Sequence, residues 1–366
     1  MNDLEATARQ LAKAVNGINW DAAQVGGSID AIHQLGKGAP TEQLDRALSV
    51  LVDRLRQFSV DDGDDTAHVA ITAGTLVEFG ASAEPLAEIL LEKVPTVLFA
   101  ARECADVCLA DPRTPVESPE EDEGNLLTEV DQRPILREVF RDHLKQRRAR
   151  AALAYLEQWT LATVAAWTRS RANLLRAKSD PQLVELADRM AESEASWIRV
   201  LLGAQLDSSW LVLCPMEKRG FRVVLDGVVS NQDFHVQLAA ALIPRGIKGT
   251  ACSSEVIAYL EGRGKAPRKK WVDGTWNLYD YRAGVLDLAE GSQVPHEYWV
   301  WAEGIPNDIP QLPGEPLLII GPASIQRSWS LERTFSALPS RIKVVEELRG
   351  SEWDFQMARV RAACCD

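Results

Sequence analysis

The chain has 366 residues, 46% of them hydrophobic and 25% charged, and a formal net charge of -13. That length suits two or three domains, each able to bury its own core, and the acidic balance argues against binding nucleic acid or an anionic membrane through the surface as a whole. No apolar run approaches the roughly 20 residues of a membrane span, the first residues lack the basic and apolar regions of a signal peptide, and the six cysteines show no CxxC spacing; a cytoplasmic protein with reduced thiols, no membrane association, no metal and no cofactor is expected.

Residues 1–110 read as an irregular helical bundle. Thr41 suits an N-cap, and Leu44, Leu48, Leu51, Leu55 and Phe58 follow at steps of three and four, the stripe of an amphipathic helix. A second helix is predicted from Asp65 or Thr66 to Phe79, where Gly80 offers a left-handed terminus. A third starts with Ser82 as cap and reaches Cys108, with Pro95 expected to kink or divide it. Residues 111–131 hold Pro112, Pro115 and Pro119, and seven acids with no base between 117 and 131, so an exposed acidic loop is predicted.

The segment 132–206 is predicted to form a long helical hairpin packed with the N-terminal bundle. Ile135, Val139, Leu153, Leu156, Thr160, Val164, Trp167 and Leu174 fall near heptad spacing with no Gly or Pro before Pro181. Ser179-Asp180-Pro181 then closes one helix and opens the next. Arg133 to Lys178 carry eleven Lys/Arg against three acids, which complements the acidic loop. A partner-binding patch is expected beside Trp159 and Trp167.

Near residue 207 the character changes: seven of the eleven tryptophans lie beyond it, with short β-branched runs between turns. Residues 207–366 are therefore predicted to be an α/β domain with a mainly parallel, mixed sheet. Strands are expected at 210–214, 221–225, 247–251, 298–302, 316–321 and 342–347, and helices at 233–243, 324–337 and 351–362. The fold class is thus multidomain, α followed by α/β.

Chemistry-bearing residues cluster in this second part. Gly321, Ser324 and Arg327 follow an apolar strand, and a helix starting at Ser324 would offer an anion its unpaired N–H groups and a bidentate arginine. Neither GxGxxG nor GxxxxGK[ST] is present. Asp233 and His235 follow one strand after Asp226, and Glu303 and Asp308 follow another; if these converged they could share acid–base work or hold a divalent ion. Cys252 would be a nucleophile only if a helix terminus or His235 lowered its pKa. The basic stretch Arg263 to Lys270 with Trp271, Trp276, Tyr279 and Tyr281 is weighed as a single-strand nucleic-acid surface, against which the acidic chain speaks. Trp299 and Trp301, two apart, share a strand face and are read as core. Without an enzyme motif, the expected function is a non-catalytic interaction or adaptor protein with a protein partner and an α/β domain for a protein or small anionic ligand. The alternative is an enzyme acting on a phosphorylated or nucleotide substrate at the sheet edge.

Overall fold

A computed structural model describes residues 4–15, 22–58, 65–113, 152–191, 193–268, 271–286, 288 and 293–364, in two compact units, Met1–Leu202 and Gly203–Asp366. Most of the predicted acidic loop and the first part of the predicted hairpin lie outside the described residues.

The first unit is helical. Helices α1 (Leu4–Ala14), α2 (Ala22–Gly36), α3 (Thr41–Gln57), α4 (Asp65–Glu78) and α5 (Glu84–Leu109) are followed by α6 (Leu156–Trp167), α7 (Arg171–Lys178), α8 (Pro181–Arg189) and α9 (Ser196–Leu202). The leucines at 44, 48, 51 and 55 are buried, and α3 packs on α1 and α4. Contact between α4 and α6 depends on Gly74, where an added Cβ would lie 2.9 Å from the Ala162 Cα. Helix α5 passes through Pro95 as one element. Ser82 does not cap it: its backbone N–H donates to Asp45 Oδ1 at 2.7 Å, and the helix begins at Glu84.

Two expectations for this unit are overturned. The single helix predicted to reach Lys178 breaks after Trp167, because Ser170 leaves the helical region (φ -124°, ψ 85°) and starts α7, while Thr168 Oγ1 turns back to the Val164 carbonyl at 2.6 Å. A hydroxyl bonded back to a carbonyl four residues earlier competes with local backbone bonds without by itself ending a helix, since Thr163 makes the same bond inside α6. Trp159 and Trp167 are 4% and 0% exposed, so they do not form a partner surface. Trp159 stacks on Phe58, and the Trp167 Nε1–H donates to the Ala87 carbonyl at 3.1 Å. Asp180 does cap α8, accepting from the N–H groups of Gln182 and Leu183, with Pro181 at the first helical position.

The second unit is built on a five-stranded mixed sheet of order β4-β5-β1-β2-β7, with β1 (Ser208–Cys214), β2 (Arg219–Asp226), β4 (Trp276–Tyr279), β5 (Leu317–Pro322) and β7 (Arg341–Leu348). A two-stranded ribbon pairs β3 (Trp271–Asp273) with β6 (Ser328–Ser330). Alternation sends Trp210, Val212, Leu318 and Ile320 to a core that includes Phe234 and Leu238 of helix α10 (Asn231–Leu242). Leu211, Leu213, Leu317 and Ile319 face the other core, with Trp353, Met357 and Val360 of helix α12 (Ser351–Ala363). A short helix α11 (Ser254–Leu260) adds Val256 and Leu260 to a third cluster with Val236, Trp329 and Leu331.

The sheet is not mainly parallel. Only β1 and β5 run parallel; β1–β2, β2–β7 and β4–β5 are antiparallel. The reason is local for β1–β2, where Pro215–Glu217 and left-handed Lys218 form a tight reversal, and a short link of this kind joins only antiparallel neighbours. No strand forms at 247–251, because side chains take up that backbone: the Lys248 carbonyl accepts from Trp276 Nε1 at 2.6 Å, and the Thr250 N–H donates to Thr275 Oγ1 at 2.6 Å. Residues 298–302 make one bridge, Trp299 with Tyr279, rather than a strand. The helix predicted at 324–337 is also absent: Ser328-Trp329-Ser330 alternates about a buried ring and pairs with β3.

Candidate functional site

Helix α10 positions two of the predicted residues. Ser230 caps it by accepting from the Asp233 N–H at 3.1 Å, which sets Asp233 in the first turn and His235 one step further round. Asp233 is 3% exposed and its Oδ1 has no partner among the described residues. Burial, opposed by the Arg333 charge, raises its pKa to about 7. His235 faces elsewhere. Its Nε2 accepts from the Thr275 N–H at 3.0 Å, and its ring lies between Trp276 (stacked, 6.0 Å) and Trp329 (edge-on, 5.2 Å). Burial and then the Arg327 charge lower its pKa to about 4, so at neutral pH it is an uncharged acceptor already engaged with backbone.

Arg327 is the centre of a second group. With no helix at 324–337, the expected helix N-terminus for an anion does not exist, and Ser324 caps nothing. The Arg327 guanidinium instead lies 4.7 Å from the centre of the Trp299 ring and 5.0 Å from that of Trp301, two indoles that are themselves 5.4 Å apart. His296 sets its edge against both. The Trp pair read as core is thus a platform: Trp299 is half-buried and Trp301 is 46% exposed. The backbone beneath is pinned, since Asn231 Nδ2 donates to the Trp301 carbonyl at 2.8 Å and the Asn231 N–H to the Gly304 carbonyl at 2.9 Å. Burial lowers the Arg327 pKa, with Glu303 and Tyr279 opposing that shift.

Two Arg327 nitrogens, Nε and Nη2, are buried without a partner among the described residues. They form one edge of the guanidinium fork. Elsewhere in the chain this edge holds a carboxylate: Arg282 Nε lies 3.0 Å from Asp280 Oδ1 and its Nη2 2.6 Å from Asp280 Oδ2, and Arg113 grips Asp111 in the same way. A charged fork left unpaired in a low-dielectric setting is costly.

Beside the platform, Asn277 is buried on β4. Its Nδ2 donates to Tyr279 Oη at 2.9 Å and to Ser324 Oγ at 2.5 Å, while its Oδ1 has no partner among the described residues. Tyr279 meets Trp299 edge-on at 5.9 Å, and burial raises its pKa against the pull of Asn277, Arg327 and Ser324. Gly321 serves this packing rather than a phosphate, because an added Cβ would come within 2.6 Å of the Tyr279 ring.

The structure therefore brings Ser324, Arg327, Tyr279 and Asn277 into one neighbourhood, where the Glu303 charge acts on Arg327 and the Arg327 charge acts on His235. Asp233 points instead toward Arg333. Asp308 ends an exposed turn, Pro306–Asp308, and Asp226 ends β2; among the described residues no three His, Cys, Asp or Glu side chains come together as metal ligands. Cys252 is no thiolate: burial and then Asp273 raise its pKa. Of the basic aromatic stretch, Trp271 is exposed while Trp276 and Tyr279 are buried, and Lys269 and Lys270 lie outside the described residues. Asn277 was missed by sequence reasoning; of the two indoles read as core, Trp299 does pack against the second core cluster, whereas Trp301 is exposed. Their available signal was a Trp-x-Trp pair in a Pro-rich stretch and a lone Asn between aromatic residues in Thr275-Trp276-Asn277-Leu278-Tyr279.

Compared with known proteins, the chain matches no family model, no curated protein and no solved structure.

Proposed function

We propose that the second unit is a non-catalytic recognition module that binds an anionic group, on a small ligand or a partner protein, at Arg327 between Trp299 and Trp301. The observation that carries this reading is the unpaired Nε/Nη2 edge of Arg327, the same edge that grips carboxylates in Arg282 and Arg113. Aromatic walls strengthen such a contact by lowering the local dielectric and by holding the guanidinium plane through cation–π attraction. Catalysis is the weaker reading, because His235 is neutral with its Nε2 occupied and Asp233 faces another group. In the first unit, partner contact would fall to exposed side chains such as Phe99, Leu161 and Leu175 rather than to Trp159 or Trp167.

The test is thermal unfolding of the full chain with a panel of carboxylates, inorganic phosphate, sugar phosphates and nucleotides, run in parallel on Arg327→Gln. A ligand at 100 times its dissociation constant stabilises by about 2.7 kcal/mol. A rise in melting temperature seen in the wild type and lost in the variant supports the module; a panel that shifts neither protein, or both equally, refutes it.

A further inference from the structure

Resting on that reading of the site, we infer that its ligand is a carboxylate monoanion with an N–H donor a few bonds away, the chemistry of an N-acyl amino acid or of a peptide's C-terminal residue. Three features of the site lead there. The first is charge. Among the described residues Arg327 is the one cation stacked against the two indoles, and Glu303 acts on it with opposite sign. The neighbouring His235 is neutral, and the first N–H of α10, at Asn231, is already given to the Gly304 carbonyl. One partly offset positive charge matches a monoanion, whereas phosphate dianions are usually met by several cations or a ring of backbone N–H groups. The second is shape, since the Nε/Nη2 edge presents two parallel donors to two oxygens, as Arg282 does to Asp280.

The third is the acceptor. Asn277 has spent both donor hydrogens on Tyr279 and Ser324, which leaves Oδ1 as a buried oxygen that only an N–H or O–H can satisfy. Asn277 and Arg327 are linked by two routes. Ser324, bonded to Asn277, precedes Arg327 by three residues, and Tyr279, also bonded to Asn277, meets Trp299, which stacks on Arg327. A phenyl phosphate dianion has no donor to match that oxygen, and a simple fatty acid anion has none either. The Trp301 ring, 46% exposed, is the solvent-facing wall of the platform, while its backbone carbonyl is held by Asn231.

The experiment uses the full chain and three probes followed by tryptophan fluorescence and calorimetry. Hippurate carries the carboxylate and the N–H, 3-benzoylpropionate replaces that N–H with CH2, and phenyl phosphate replaces the carboxylate. Hippurate is expected to bind at least tenfold more tightly than either of the others, and Asn277→Ala, checked by circular dichroism, is expected to bring hippurate and 3-benzoylpropionate to equal affinity. Arg327→Gln should abolish binding, and Trp301→Ala, at a surface position, provides a second variant that keeps its fold. A pentapeptide with a free C-terminus that outbinds hippurate, and loses binding when amidated, would identify a partner's C-terminus; the reverse order would identify a small metabolite. Phenyl phosphate binding best in an Arg327-dependent way would overturn the carboxylate class and leave the site standing. Equal behaviour of wild type and Arg327→Gln toward every probe would remove both.

Discussion

The two units differ in how they bury polar side chains. In the helical unit, buried polar side chains mostly answer their own neighbourhood: Thr163 and Thr168 bond back to carbonyls four residues earlier, Ser193 to one three residues earlier, and Lys93 reaches the Phe58 carbonyl. Among the described residues both units keep buried atoms with no partner: Arg54, Arg102, Gln158 and Thr160 in the first, and Asn231, Asp233, Asn277, Arg327, Trp329 and Arg333 in the second, where Arg327 keeps two. Native interiors satisfy nearly all such atoms, and exceptions concentrate where a protein does something other than hold itself together. The difference lies in where they fall: in the second unit two Arg327 nitrogens and the Asn277 oxygen belong to the neighbourhood of Tyr279, Ser324 and Trp299, the place proposed to take a ligand.

The sharpest break of this contrast is in the helical core. Trp167→Ala removes a fully buried ring together with its bond to Ala87 and should cost about 3–5 kcal/mol in chemical denaturation. A cost below about 1 kcal/mol would deny that this unit is tightly packed. The second unit should respond in the other direction. Asp233→Asn removes a buried carboxyl that resists ionisation and should stabilise the protein at pH 8, by on the order of 2–4 kcal/mol for a shift of about three pKa units; destabilisation at that pH would contradict the assignment.

The pH dependence sharpens the same comparison. Asp233 has a raised folded pKa, so between about pH 4 and 7 the folded state holds a proton that the unfolded state has lost, and stability falls as pH rises. His235 has a lowered folded pKa, so between about pH 4 and 6.5 the unfolded state holds the extra proton, and stability rises with pH. The two slopes oppose each other in the wild type. Relative to it, Asp233→Asn should gain a rising slope over that window and His235→Gln a falling one, read from urea midpoints at several pH values. Parallel curves for both variants and the wild type would mean that neither group is buried as described. The smallest expected effect is that of Trp301→Ala, which should change stability by no more than about 1 kcal/mol because the ring is half exposed, while binding at Arg327 suffers.

Helix α3 was legible because its leucines recur at the helical period and its core lies within a few turns of chain. Strands β1, β2, β5 and β7 were legible as short apolar runs. What could not be read were elements decided by distant partners. Residues 247–251 lost their backbone donors and acceptors to Trp276 and Thr275, and residues 324–337 gave up a helix for pairing with β3. The break after Trp167 has no Gly or Pro to announce it in the sequence. At the site, His235, Ser324 and Arg327 stood out by residue type, but the anion site was drawn on a helix that does not form. Asn277 gains its meaning only from Tyr279 across one step of β4 and Ser324 after β5, a juxtaposition made by the sheet.

The most direct measurement is a fluorescence titration of the full chain and of Arg327→Gln with hippurate, since the indoles that would report binding are the ones stacked on the guanidinium. The account predicts a saturable change in the wild type and none in the variant. Matching curves for the two proteins would show that the unpaired edge of Arg327 recognises nothing, and the contrast between the two units would then be one of packing alone.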